Sequence, residues 1–77
     1  MRFWSVNYKG HTIRVESRAF EFRLIVDGEH QDTVGRALGS LTGVIRSGAG
    51  AGEPIKASCF GPFLGRCHIF VDHKLVQ

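Results

Sequence analysis

Phe20, Phe22, Leu24 and Val26 fall on alternate positions, Glu21, Arg23 and Ile25 lie between them, and the run ends in Asp27-Gly28. An apolar period of two marks a strand with one buried face. Asp-Gly is the strongest short hairpin signal, because a type I′ turn requires positive φ at both central residues. The chain is therefore predicted to reverse within two residues, and the polar segment Glu29–Val34 to return alongside as an edge strand. In that register Arg23 lies opposite Asp32, a surface pair worth only a few tenths of about 1 kcal/mol.

The N-terminal segment has the same form. Trp4, Val6 and Tyr8 alternate with polar residues, as do Ile13 and Val15. A two-residue turn at Lys9-Gly10 sets Val6 opposite Ile13 and Trp4 opposite Val15, so both apolar sets share one face. The last third repeats the pattern. Residues 55–60 read as extended, 61–65 as a turn, and 66–71 as a buried returning strand. Asp72-His73 then turns the chain into a short last strand, 74–77. With a five-residue loop at 61–65, Cys59 lies directly opposite Cys67 and Phe60 opposite Arg66, within disulfide range.

The middle of the chain admits two readings. Val34, Leu38, Leu41 and Ile45 have helical spacing, but each of Gly35, Gly39 and Gly43 would cost a helix about 1 kcal/mol relative to Ala. We read the glycines as turns and strand breaks, with a strand over 41–46; a short helical turn before it is the alternative. Residues 47–54 (SGAGAGEP) form a flexible loop. Its glycine content resembles a phosphate-cradling loop, but the Lys-Ser/Thr that would follow is missing, and Pro54 leads into an extended run.

At 77 residues the chain is expected to be one domain, 1–77, with a core only just large enough to fold alone. Hairpins with alternating strands and no long helical segment predict an all-β fold. We expect a small antiparallel β-sandwich or flattened barrel of seven to eight short strands. No run approaches the roughly 20 apolar residues of a membrane-spanning helix. The opening MRFWSVNYKGH turns polar too early for a signal peptide. The expected location is cytoplasmic, with Cys59 and Cys67 as adjacent reduced thiols.

These residues resemble the Fas apoptotic inhibitory molecule family, a small all-β sandwich. The matching positions are Trp4-Ser5-Val6, Gly10-His11, Ile13, Val26-Asp27-Gly28, Gly43 and Ile69-Phe70-Val71-Asp72. They span most of the chain. Two departures stand out: His73 occupies the turn position where the family pattern has Gly, and the chain is shorter than that domain. The resemblance implies a non-enzymatic, protein-binding role with no catalytic residues.

Candidate chemistry is sparse. Cys59, Cys67, His68 and His73 are zinc-type ligands, but the spacing lacks a C-x2–4-C knuckle. Strand alternation also points Cys67 and His68 to opposite faces. No serine sits in a GxSxG context, and neither cysteine has a base placed beside it in sequence. We therefore expect no enzyme, no cofactor and no metal.

Two binding readings remain. The first is a protein-interaction domain with an unknown protein partner, using the apolar tip Pro62, Phe63 and Leu64 together with Arg66. A homodimer through an edge strand, 29–34 or 74–77, accompanies it. The alternative is a single-stranded nucleic-acid module, with Arg14, Arg18, Arg23 and Lys56 supplying phosphate contacts between exposed aromatics such as Phe3 and Phe20. The net charge of +3 is modest, and Glu16, Glu21, Glu29 and Asp32 interrupt the basic residues. That interruption sets protein binding first and nucleic acid second.

Overall fold

A computed structural model describes residues 2–35, 39–60 and 66–77. Its eight strands are β1 (Arg2–Tyr8), β2 (His11–Ser17), β3 (Glu21–Val26), β4 (Glu29–Gly35), β5 (Ser40–Val44), β6 (Pro54–Phe60), β7 (Arg66–Val71) and β8 (Lys74–Leu75). They form two antiparallel four-stranded sheets in strict chain order, β1-β2-β3-β4 and β5-β6-β7-β8. The predicted small all-β sandwich is what the chain forms. The strand expected over 41–46 is present as β5, which starts one residue earlier and ends at Val44, and the alternative helical turn before it falls largely outside the described residues.

The turns hold the predicted registers. Lys9 and Gly10 both have positive φ (50° and 83°), as do Asp27 and Gly28 (50° and 81°). Val6 accordingly pairs with Ile13 and Trp4 with Val15. One core lies between the sheets. Ile13, Val15, Phe22, Leu24 and Val26 enter it from the first sheet, and Leu41, Ile55, Ala57, Ile69 and Val71 from the second. Trp4, Val6 and Tyr8 pack at its rim. Phe20 departs from the predicted alternation. β3 begins at Glu21, a bend closed by the Arg18 N–H donating to the Glu21 carbonyl precedes it, and Phe20 is left 87% exposed.

The β3–β4 hairpin corrects one predicted pair. Ile25 faces His30, but Leu24 then faces Asp32 and Arg23 faces Thr33, so Gln31 is an extra residue on β4. A bulge of this kind re-aims the side chains around it. Asp32, expected on the solvent face beside Arg23, instead reaches β5, where its carboxylate accepts from the Thr42 N–H at 2.8 Å. Glu29–Val34 is an edge of its sheet, but not an open one.

Cys59 and Cys67 face each other across β6 and β7, as the register predicts. They are joined in a disulfide, with Cα atoms 4.1 Å apart, which corrects the expectation of free thiols. That expectation rested on the compartment inferred for the chain. The register itself puts the two sulfurs within bonding reach.

Candidate functional site

The outer face of the second sheet is built by alternation. Leu41, Ile55, Ala57, Ile69 and Val71 point into the core, which leaves Thr42, Lys56, Ser58, His68 and Phe70 on the opposite face. The ladder sets Thr42 beside Lys56 and Lys56 beside Phe70, with Leu75 beyond. Ser58 and His68 form the next row. A hollow of about 550 Å³ opens here, lined by Thr42, Gly43, Pro54, Lys56, Ser58, Phe70 and His73 among others. That volume lies in the range of ligand pockets. Phe70 supplies a half-buried aromatic wall, and hydroxyl, ammonium and imidazole groups surround it.

Charge separates the two sheets. Strands β5 to β8 contain no Asp or Glu. On the first sheet, Glu16 takes Arg14 and Arg18, Glu21 takes Arg23, and Glu29 takes Arg46 from just beyond β5. Glu53, in the loop before β6, takes Lys9. Asp27 takes His11, and Asp32 caps the Thr42 backbone. The remaining carboxylate is Asp72, in the β7–β8 turn. Lys56, Arg66 and His73 have no ion pair among the described residues. Among the described residues, the outer face that carries Phe70 therefore holds two cations, Lys56 and Arg66, without an ion pair.

A second polar cluster locks the two sheets together at one end. His11 is buried at the start of β2, with Nδ1 2.6 Å from Asp27 Oδ2 and Nε2 2.7 Å from the Ala49 carbonyl. Both neighbours are acceptors, so the ring that satisfies them is the doubly protonated imidazolium. The hydrogen bond to Asp27, then that to Ala49, holds the His11 pKa above its ordinary value. The same bond to His11, followed by the Thr12 N–H, holds Asp27 below its own. Nearby, Tyr8 Oη donates to Glu53 Oε1 at 2.6 Å and Lys9 Nζ to Glu53 Oε2 at 3.0 Å. The Gly/Ala loop is therefore tied down from both sides. Its glycines at 48, 50 and 52 take positive φ, which lets it fold back over His11.

The sequence-predicted basic set does not form one surface. Arg14, Arg18 and Arg23 lie on the first sheet and its β2–β3 turn, each bound to a glutamate, whereas Lys56 lies on the outer face of the second. Phe3 and Phe20 are exposed on the first-sheet side, where the Arg14 guanidinium stacks 3.8 Å from the Phe3 ring. Arg66 is exposed at the start of β7. Pro62, Phe63 and Leu64 lie outside the described residues. Cys67 is buried and His68 exposed, on the opposite faces alternation assigns them. Among the described residues, no three His, Cys, Asp or Glu side chains converge as a metal site would need.

Sequence reasoning missed the Phe70 hollow and the His11 bridge. Fold and face together define a small two-sheet β domain with one polar, cationic, aromatic-bearing surface. No protein-family model, curated protein or solved structure matches the chain.

Proposed function

We propose that the chain is a non-enzymatic binding module that grips a short single-stranded nucleic acid across the outer face of its second sheet. The observation that carries this reading is the separation of charge. The carboxylates that interrupt the basic residues in sequence are held on the other sheet and in the loop before β6, which leaves Lys56 beside Phe70, and Arg66 further along the same face of β7, with no ion pair among the described residues. Single strands are gripped by cations that track the phosphates and by aromatic rings on which bases stack. Lys56 and Arg66 serve the first role, Phe70 the second, and Thr42, Ser58 and His73 offer hydrogen bonds to sugar and base edges. Arg14, Arg18 and Arg23 have no part in this surface.

A cytoplasmic setting belongs to the same proposal. The protein-binding role keeps one support of its own, the open edge of β1, argued below.

Anisotropy of labelled single-stranded DNA and RNA of about ten nucleotides tests the proposal. Affinity is expected to fall with salt, and each cation removed should flatten the log–log slope by about 0.7. Lys56→Glu and Phe70→Leu should each weaken binding while Arg23→Gln leaves it unchanged. No binding at low salt, or equal binding of a polyglutamate chain, would sink the nucleic-acid reading.

A further inference from the structure

Two sheets in chain order leave four edges, and three of them are blunted. β4 and β5 face one another, and side chains of β4 occupy backbone groups of β5. β8 has two residues, and the chain beyond it bonds back to β7 through the Val76 N–H and the Ile69 carbonyl. β1 is different. It runs for seven residues, contains no proline, and pairs with β2 without a bulge. Between Arg2 and Lys9 it carries no charge. A long, regular, uncharged edge is what isolated domains avoid leaving open.

The hairpin dictates which groups that edge presents. A two-residue type I′ turn closes on a hydrogen-bonded pair, here Tyr8 and His11, and such pairs then alternate along the ladder. Tyr8, Val6, Trp4 and Arg2 thus direct their backbone groups to β2. Phe3, Ser5 and Asn7 direct theirs outward, and no hydrogen bond satisfies these groups among the described residues.

We infer that β1 pairs antiparallel with β1 of a second copy of this chain, about a two-fold axis through Ser5. The three outward-facing residues are symmetric about Ser5. That register therefore sets Ser5 against Ser5 and Phe3 against the partner's Asn7, each pair exchanging both its bonds. Trp4 falls opposite the partner's Val6, so two half-buried side chains at the core rim cover each other. Arg2 falls opposite the partner's Tyr8, so no two charged residues of β1 are directly paired, and Arg2 approaches the Tyr8 ring that the partner's Lys9 also covers. The interface is isologous, joining the two first sheets into one continuous sheet. Assembly stops at two, because the other edges are already occupied or too short. The second-sheet face lies on the opposite layer and stays open in both copies.

Sedimentation of the full chain over a range of concentrations tests this, with a dimer expected. Ser5→Pro removes a donor that points away from β2, a place where an edge strand tolerates proline. Ser5→Lys sets two ammonium groups face to face on the axis. Each is expected to weaken the dimer about tenfold or more while circular dichroism stays unchanged. In a glutathione redox buffer, Ser5→Cys should form a covalent dimer readily and Asn7→Cys should not, since only position 5 meets itself. A wild-type monomer throughout overturns the inference, as does a dimer indifferent to both Ser5 variants. Crosslinking of Asn7→Cys as fast as Ser5→Cys overturns the register.

Discussion

The side-chain amide of Gln31 stands in for a strand beside Val44. Its Nε2 donates to the Val44 carbonyl at 2.9 Å, and its Oε1 accepts from the Val44 N–H at 2.8 Å. One side chain thereby satisfies both backbone groups that an edge residue of β5 would otherwise leave open. The bulge at Gln31 makes this reach possible, and Gly43 makes room for it. A Cβ at position 43 would lie 2.5 Å from Gln31 Oε1 and 2.8 Å from Leu24 Cδ2.

Removing that amide tests how much it holds the sheets together. Gln31→Ala leaves the Val44 donor and acceptor without their partner in a half-buried place, which is expected to cost about 1–3 kcal/mol. Urea unfolding should show the loss, and hydrogen exchange should show it concentrated at Val44. A stability within error of wild type would mean that water replaces the amide without penalty.

The His11 bridge sets a pH dependence whose sign follows from the two pKa directions. His11 is held above its ordinary 6.5, so its contribution is complete below that pH and is lost as pH rises through the higher folded value. Asp27 is held below its ordinary 3.8, so its contribution is present above that pH and is lost as pH falls through the lower folded value. The bridge is therefore intact between them, in mildly acidic solution. Urea midpoints measured at about pH 5.5 and about pH 8.5 should fall toward the alkaline side, and His11→Asn should flatten that difference. An unchanged slope in the variant would assign the dependence to other groups.

Reduction of the Cys59–Cys67 bridge is expected to lower stability by about 2–3 kcal/mol, the chain-entropy value for a short closed loop. The fold should persist, because both sulfurs are buried and thiols pack there as small apolar groups. Denaturant curves with and without dithiothreitol measure the loss, and Cys59→Ala/Cys67→Ala should reproduce its direction. Loss of the β-sheet circular dichroism signal in reductant alone would refute this and exclude a working reduced form.

What the sequence discloses depends on how tightly each local signal fixes geometry. Lys9-Gly10 and Asp27-Gly28 fix a turn to the residue, and the apolar alternation beside them fixes the face, so Val6–Ile13 is readable in advance. Cys59–Cys67 is readable from the loop length assigned to residues 61–65. β4 is polar, and no apolar period holds its register beyond the turn. The bulge at Gln31 therefore moves Arg23 from Asp32 to Thr33 without any sequence signal. Charge segregation is half visible, since residues 54–77 contain one carboxylate, Asp72. The separation of Glu16, Glu21 and Glu29 from Lys56 becomes evident only once consecutive hairpins divide into two sheets. His11 was least legible of all, because its partners lie 16 and 38 residues away.

The last turn tests whether stability has been given up for binding. Asp72 and His73 both hold positive φ, 51° and 65°, the same type I′ geometry that Gly10 and Gly28 complete in the other two hairpins. A side chain in that region costs about 1–2 kcal/mol where glycine costs little. His73 makes no hydrogen bond or ion pair that would offset the strain among the described residues, and it lines the hollow beside Phe70. Strain of this kind persists where the side chain has a use. His73→Gly is therefore expected to stabilise the domain by about 1 kcal/mol and at the same time to weaken oligonucleotide binding. Urea unfolding and anisotropy on the same variant separate the two effects. A more stable protein with unchanged affinity would remove His73 from the binding face, and a less stable one would show that the imidazole holds the turn by itself.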